Sequence, residues 1–360
     1  MTQYSKKPRW LDKIGNTAQI GGIETFIMDN GLAKGTRVAW FNTGSGLRYK
    51  IVIDRGLDIA ETFYNQNSLV WISHVGTTSP RQDANRDLVW LESFTGGLLT
   101  TCGLTHIGSP EKDKLSERGL HGRASNIPAE IESIVQPQPH RGKMEMSITA
   151  KMIESSVFGP SLELRRTISS TLGEPIIRIY DEVTNIGNSK APHMLLYHCN
   201  FGFPLVDKDT EIICPGEFQS RGLPNDNAIF NSKNNFLKCP EPLNSHSGFG
   251  ESGAFVTPKA DKKGICFAGL YNSKLGLAVS LKFKKKQLPC LSNWQHWGKG
   301  EYVTGLEPGT NYPVGQNGAK EQKKLIYLMP GQSRKYELQI EVLTKKEDIQ
   351  NFLMLKKQLA

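Results

Sequence analysis

Between residues 143 and 153 the chain alternates. Met144, Met146, Ile148, Ala150 and Met152 are apolar, and the residues between them are mostly polar. Successive side chains of a strand point to opposite faces, so this period of two predicts a half-buried strand. Leu162, Leu164 and Ile168 keep the same period in the following segment, 161–170. Similar short segments recur along the chain. Residues 22–28, 36–41, 47–53 and 69–73 come first, separated by Asn30-Gly31, Gly35 and Gly44-Ser45-Gly46, which predict turns. Residues 130–135, 175–185, 191–203 and 211–214 follow, and then 264–271, 277–283, 289–297, 301–307, 324–329 and 334–342.

Helical signals are sparse. Residues 4–15 predict a short helix around Trp10 and Leu11, ended by Gly15. The chain closes on a better one over 344–360. Thr344 with Glu347 three residues on forms a capping box, and Ile349, Phe352, Leu353 and Leu359 make one apolar stripe. Residues 218–253 lack periodicity and are rich in Asn, Ser, Pro and Gly, which predicts a long irregular excursion of the kind that lines a cleft. There is no βαβ alternation, no Pro/Ser-rich linker and no internal repeat. The expected architecture is therefore all-β: a large antiparallel β-sandwich with a C-terminal helix. One domain is expected over 1–360, with 1–16 as an N-terminal extension.

Composition narrows this picture. Hydrophobic residues make up 38% of the 360, enough for a sizeable core, and no window of 18 apolar residues exists, so no membrane partner is expected. Lys6, Lys7 and Arg9 are not followed by an apolar run, so no secretory signal is read and a cytoplasmic location is expected. Six widely spaced cysteines predict reduced, buried thiols. The net charge of +9 is dispersed; the densest run, 282–286, reads as a strand end entering a turn. With no basic stripe interleaved with aromatics, no nucleic-acid partner is expected.

Candidate chemistry begins with residues 93–126, where glycines crowd around His106 and His121, with Arg123 just after. Such density marks either tight turns or a place where something approaches the backbone. His198 lies in an apolar run and shares a strand face with Asn200; alone it reads equally as a satisfied core histidine. Glu307 ends a strand above Pro308-Gly309, either a solvated turn residue or a carboxylate at a cleft mouth. Trp294 and Trp297, on the preceding strand, are either a flat wall suited to a sugar ring or core. Asp54, Arg55 and Asp58 form a structural ion-pair corner or reach a sugar hydroxyl. Cys102 and His106 lack a base–orienter partner, so a structural thiol is expected. His193 and His198, five apart on a strand, face opposite sides, so no metal site is expected. Without a Gly-x-Gly-x-x-Gly after a strand or a P-loop, no nucleotide is expected either.

Taken in order, Gly96-Gly97, Leu120-His121-Gly122, Tyr197-His198-x-Asn200, Leu306-Glu307 and Asn311-x-Pro313 resemble the aldose 1-epimerase (galactose mutarotase-like) superfamily. Asp54-Arg-Gly-Leu-Asp58, Gly96-Gly-Leu-Leu-Thr-Thr-Cys-Gly103 and Gly119-Leu-His-Gly-Arg123 are similar to its DUF4432 branch. The resemblance spans roughly 17–342. It implies a β-supersandwich, a small-molecule sugar as partner and no cofactor. It implies Glu307 as general base, His198 as general acid and His121 as a sugar-binding histidine. The family's arginine has no match near 96–102, where threonine or cysteine stands, and Arg55 or Arg123 is the expected substitute. Asn200, His106 and Trp294 complete the expected substrate-binding set. The implied activity is anomer interconversion by acid/base ring opening. The alternatives are a sugar-binding or sensing protein without turnover, and another isomerase or a lyase acting on an acidic sugar.

Overall fold

The computed structural model describes residues 8–113, 116–229 and 236–359. The two alternating segments pair antiparallel: Glu145–Ser155 lies beside Ser161–Thr171, with Ile148 opposite Ile168 and Met152 opposite Leu164. Their inward rows are buried, as a period of two demands when one face meets the core. They belong to a sheet ordered Glu211–Ile213, Ile265–Asn272, Leu277–Lys284, Ser333–Leu343, Ile176–Asn185, Ser161–Thr171, Glu145–Ser155 and Glu130–Val135. A second sheet runs Gly216–Ser220, Ser252–Pro258, Cys290–Gly298, Glu301–Gly309 and Ala191–Gly202, with Thr100–Leu104 and Ile326–Leu328 also on this last strand. A third holds the early strands, Gly22–Ile27, Arg37–Asn42, Leu47–Val52, Asp58–Tyr64 and Asn67–Ser68. Their inner faces merge in a single buried cluster that includes Phe41, Ile51, Ile148, Leu164, Leu195, Phe201 and Leu281. The all-β antiparallel sandwich is thus present.

Several elements differ from expectation. Residues 69–73 form only isolated pairings, Val70 with Phe201 and Ile72 with Gly96. Asp58–Tyr64 is a strand that its sequence hides, because Ile59, Ala60 and Thr62 are buried without alternating against polar residues. Ser252–Pro258 and the short helix Gly315–Glu321 carry glycine or proline and gave no local signal. The helix expected over 4–15 lies partly outside the described residues; within them there is one 3₁₀ turn, Leu11–Lys13. The terminal helix is Lys346–Leu359, so its cap falls one residue after Thr344. Its stripe docks as expected, Ile349 and Phe352 packing with Ile213, Phe267 and Leu343. No described helix is long and apolar enough to cross a membrane.

One charged side chain sits inside the core. Arg166 occupies an inward position between Leu164 and Ile168 and is fully buried. It makes a fork on Asp181 at 2.8 and 2.7 Å and also donates to Gly56 O at 3.1 Å and Thr101 Oγ1 at 2.7 Å. Asp181 accepts in turn from the Tyr197 hydroxyl at 2.7 Å. Asp58, with Oδ1 3.8 Å from the guanidinium, accepts from the Thr101 hydroxyl at 2.6 Å. A buried charge persists only when its partners are this complete. The cluster draws on all three sheets and fixes Tyr197, the residue before His198.

Candidate active site

Ala191–Gly202 is flanked by Thr100–Leu104 and Glu301–Gly309. Cys199 pairs with Leu306, so His198 and Glu307 emerge side by side on the other face. His198 Nε2 lies 3.3 Å from Glu307 Oε1. This approach is close but off the line of a hydrogen bond, for Oε1 has no partner among the described protein atoms. Glu307 also stands opposite Ser292, whose buried hydroxyl is likewise unpartnered.

His121 arrives from the glycine-rich loop in the left-handed region, φ +57. Its backbone is clamped there: its N–H donates to Gly108 O at 2.9 Å and its carbonyl accepts from Gly103 N at 3.0 Å. Such a conformation costs a non-glycine residue of order 1–3 kcal/mol and clusters at functional sites. Gly108 N–H donates to His121 Nδ1 at 3.4 Å, which leaves Nε2 as the protonated nitrogen. The His121 and His198 ring centroids are 5.7 Å apart.

Aromatic rings wall the histidines. Phe94 and Trp294 lie 5.2 and 5.5 Å from His198, Trp90 is 4.9 Å from His121, and Trp71 meets Trp294 edge-on at 6.1 Å. Trp71 packs on bare glycine: a Cβ at Gly96 would fall 2.6 Å from its carbonyl. The rings and imidazoles line a cleft of about 670 Å³, whose far side comes from residues 221–225 and 248–255. That volume lies within the ~300–1,000 Å³ typical of small-molecule sites.

This setting inverts the usual proton affinities. Burial, then the nearby Glu251, push the Glu307 carboxyl up to about 8, with Arg221 opposing. Burial lowers His198 to about 4, with the neighbouring Asn200 side chain opposing. Burial, then His198 and His106, hold His121 well below the ordinary imidazole range. Near neutrality the free site therefore carries its proton on Glu307, with both imidazoles neutral.

A family model described as a domain of unknown function, DUF4432, matches residues 33–342. The chain belongs to the DUF4432 family. No curated protein matches it. Among solved structures it is similar to a candidate aldose 1-epimerase from Klebsiella pneumoniae, with 21% identity, TM-score 0.85, and 96% of this chain and 90% of that one covered. It is also similar to a galactose mutarotase-like protein from Clostridium acetobutylicum (12%, 90% and 98% covered, TM-score 0.60). A third is galactose 1-epimerase from Lactobacillus acidophilus (10%, 89% and 98% covered, TM-score 0.58). At these identities the likeness is one of fold, and it gives the DUF4432 chain a galactose mutarotase-like sandwich.

Of the expected site residues, His198, Glu307, His121 and Trp294 meet at the DUF4432 cleft. The others lie off it. Arg55 is buried behind, its donors taken by Thr78 Oγ1 at 2.6 Å, Ser93 O at 2.7 Å and Ser125 O, so it is a structural corner. Arg123 donates to Ser155 O, away from the cleft. Asn200 is buried and its amide binds Gly97 O and His198 O at 3.2 and 2.9 Å, bracing the strand. His106 is buried with Nε2 on Ser109 O at 2.9 Å. Trp297 is core. Among the described residues no group of three or more His, Cys, Asp or Glu is arranged to hold a metal ion. Sequence reasoning missed Trp71, Trp90, Phe94, Arg221, Glu251 and Ser292. The aromatics bordering Gly96-Gly97 were the available signal; Arg221 and Glu251 sit in the segment without periodicity.

Proposed function

We propose that this DUF4432 protein is an aldose 1-epimerase-type isomerase that interconverts the anomers of a small-molecule sugar. The observation that carries the reading is the 3.3 Å approach of His198 to Glu307, sunk in an aromatic cleft beside the His121 donor. Ring faces suit the apolar C–H faces of a pyranose, and the polar groups converge on one edge. One member of the pair takes the C1 hydroxyl proton and the other protonates the ring oxygen. The C1–O5 bond opens to the aldehyde, C1 turns, and the ring closes on the opposite face as both protons return. In the role the resemblance implies, Glu307 is the base and His198 the acid. The single proton of the pair must then shift from Glu307 to His198 when sugar displaces the contact. Each transfer supplies typically about 10²–10⁴-fold.

The proton resting on Glu307 favours one other reading, a sugar-binding protein without turnover, since a neutral pair hydrogen-bonds sugar without being primed to deprotonate it. Anomer-exchange NMR on any sugar that raises the melting temperature decides between them. Acceleration by the wild type supports the isomerase, and binding without acceleration across a broad aldose panel selects the binder.

Charge bears on the acidic-sugar alternative. Glu251 and Glu301 line the cleft against Arg221, the one Lys or Arg among its described lining residues, and Arg221 is already paired with Asp226 and Glu251. Uronates and sugar phosphates should therefore shift the melting temperature less than their neutral parents. An equal or larger shift would overturn this.

Gly305 is a second point of sensitivity. A Cβ there would meet Glu307 Oε1 at 2.6 Å. Gly305→Ala should displace the carboxylate and lower anomer exchange by about 10²-fold, the scale of a 1 Å misplacement, with the far-ultraviolet spectrum unchanged.

A further inference from the structure

Glu251 reaches the cleft from the irregular segment before Ser252–Pro258. Its Oε1 accepts from Arg221 Nη1 at 2.7 Å and its Oε2 from the Trp294 indole N–H at 2.6 Å. Arg221 is held from behind by a fork on Asp226 at 3.2 and 2.9 Å. Asp226 is fully buried and also accepts from Gly253 N at 2.7 Å. Charge-assisted bonds thus run from a buried carboxylate, through a guanidinium and a second carboxylate, to an indole on the cleft wall. Trp294 and Glu307 share the bare backbone of Gly305: a Cβ there would lie 3.3 Å from Trp294 Cβ and 2.6 Å from Glu307 Oε1. The Asp226–Arg221 fork would anchor the segment without Glu251, whose side chain is 39% exposed. Ordering a long side chain costs conformational entropy, so a rim carboxylate aimed at an indole calls for a further role.

We propose that Glu251, held by Arg221 and bonded to the Trp294 indole, is a positioning residue: it sets the face Trp294 presents to a sugar ring and fixes a negative charge on the cleft that Glu307 also lines. The affinity half of this rests on the sugar-cleft reading above; the charge half does not.

The groups around Glu307 come from every neighbouring element. They are His198 and Cys199 on Ala191–Gly202, Cys102 on Thr100–Leu104, His121 on the glycine loop, Ser292 across the ladder, and Arg221 and Glu251 from the segment. Burial lowers the two imidazoles and raises the two thiols, so these are neutral near pH 7. That leaves Glu251 and Arg221 as the charged pair, with opposite effects on Glu307, Glu251 raising its proton affinity and Arg221 lowering it.

The test uses the full chain and two charge-removing variants. Glu251→Gln keeps an oxygen for the indole and removes the charge; Arg221→Met removes the opposing one. Carbon-13 NMR of the Glu307 carboxyl, assigned by its loss in Glu307→Gln, should show its midpoint fall in Glu251→Gln and rise in Arg221→Met. No movement in Glu251→Gln, or movement in the reverse sense in either variant, overturns the charge role. This readout needs neither sugar nor turnover, so it stands if the isomerase reading fails. For the wall, Glu251→Ala should weaken binding of a neutral aldose about tenfold and Glu251→Gln should restore most of it. Equal losses in both, or none in either, overturn the orienting role.

Discussion

Glu307→Gln should slow anomer exchange by about 10²–10⁴-fold while sugar affinity changes only a few-fold. Glutamine has the same shape and still hydrogen-bonds, but it cannot hand a proton to His198 3.3 Å away. His198→Gln should cost a similar factor, and the double variant little more than either alone, because a proton pair acts as a unit. The wild-type pH profile should be bell-shaped. The pair carries one proton between its lower limit near 4, where His198 begins to charge, and its upper limit near 8, where Glu307 gives its proton up. Below that window a second proton removes the base, and above it none remains to protonate the ring oxygen. These midpoints belong to the pair jointly. Anomer-exchange NMR from pH 4 to 9 on a sugar that binds measures all of this. A Glu307→Gln variant as fast as wild type would discard Glu307 as the proton-transfer group.

Arg166→Met should lower folding stability by about 3–5 kcal/mol, the scale for removing one partner of a buried ion pair. Methionine fills much of the volume, yet Asp181 would lose its fork at 2.8 and 2.7 Å and remain fully buried beside Tyr197. Asp58, already raised to about 6 by burial, would lose the opposing Arg166 charge and titrate higher still. Arg166→Met with Asp181→Leu should recover much of the loss, since apolar replacement of a whole buried pair is often neutral or better. Recovery should be incomplete, because the Tyr197 hydroxyl keeps no acceptor, at about 1–3 kcal/mol. Urea unfolding monitored by tryptophan fluorescence gives each value from the midpoint at constant slope. A loss under about 1 kcal/mol for Arg166→Met would mean that the cluster contributes little to the fold.

The row Leu162, Leu164, Arg166, Ile168 illustrates where sequence reading stops. Its period placed three apolar residues inward, and by the same period placed Arg166 there too. Burial of a charge is credible only when its partners are known, and these come from Gly56, Thr101 and Asp181. No local pattern links those positions. Arg55 shows the converse. As the expected stand-in for an absent arginine it was a reasonable ligand, until backbone oxygens of Ser93 and Ser125 took its donors.

By itself the sequence determined most of the strands and their faces and the docked terminal helix, and its motif order singled out His121, His198 and Glu307, on which the proposed chemistry rests. Alternation is a local property of a strand with one face buried and one wet, so Glu145–Ser155 shows it and Asp58–Tyr64, buried or half-buried throughout, does not. Only the tertiary structure decided that Trp71, Trp90 and Phe94 enclose the imidazoles, that Arg221 and Glu251 face the cleft, and that Arg55, Asn200 and His106 do not. Those outcomes depend on hydrogen bonds and packing between residues tens of positions apart, such as Trp294 with Glu251. Burial then set the proton on Glu307, because desolvation is a property of the surroundings and not of the residue.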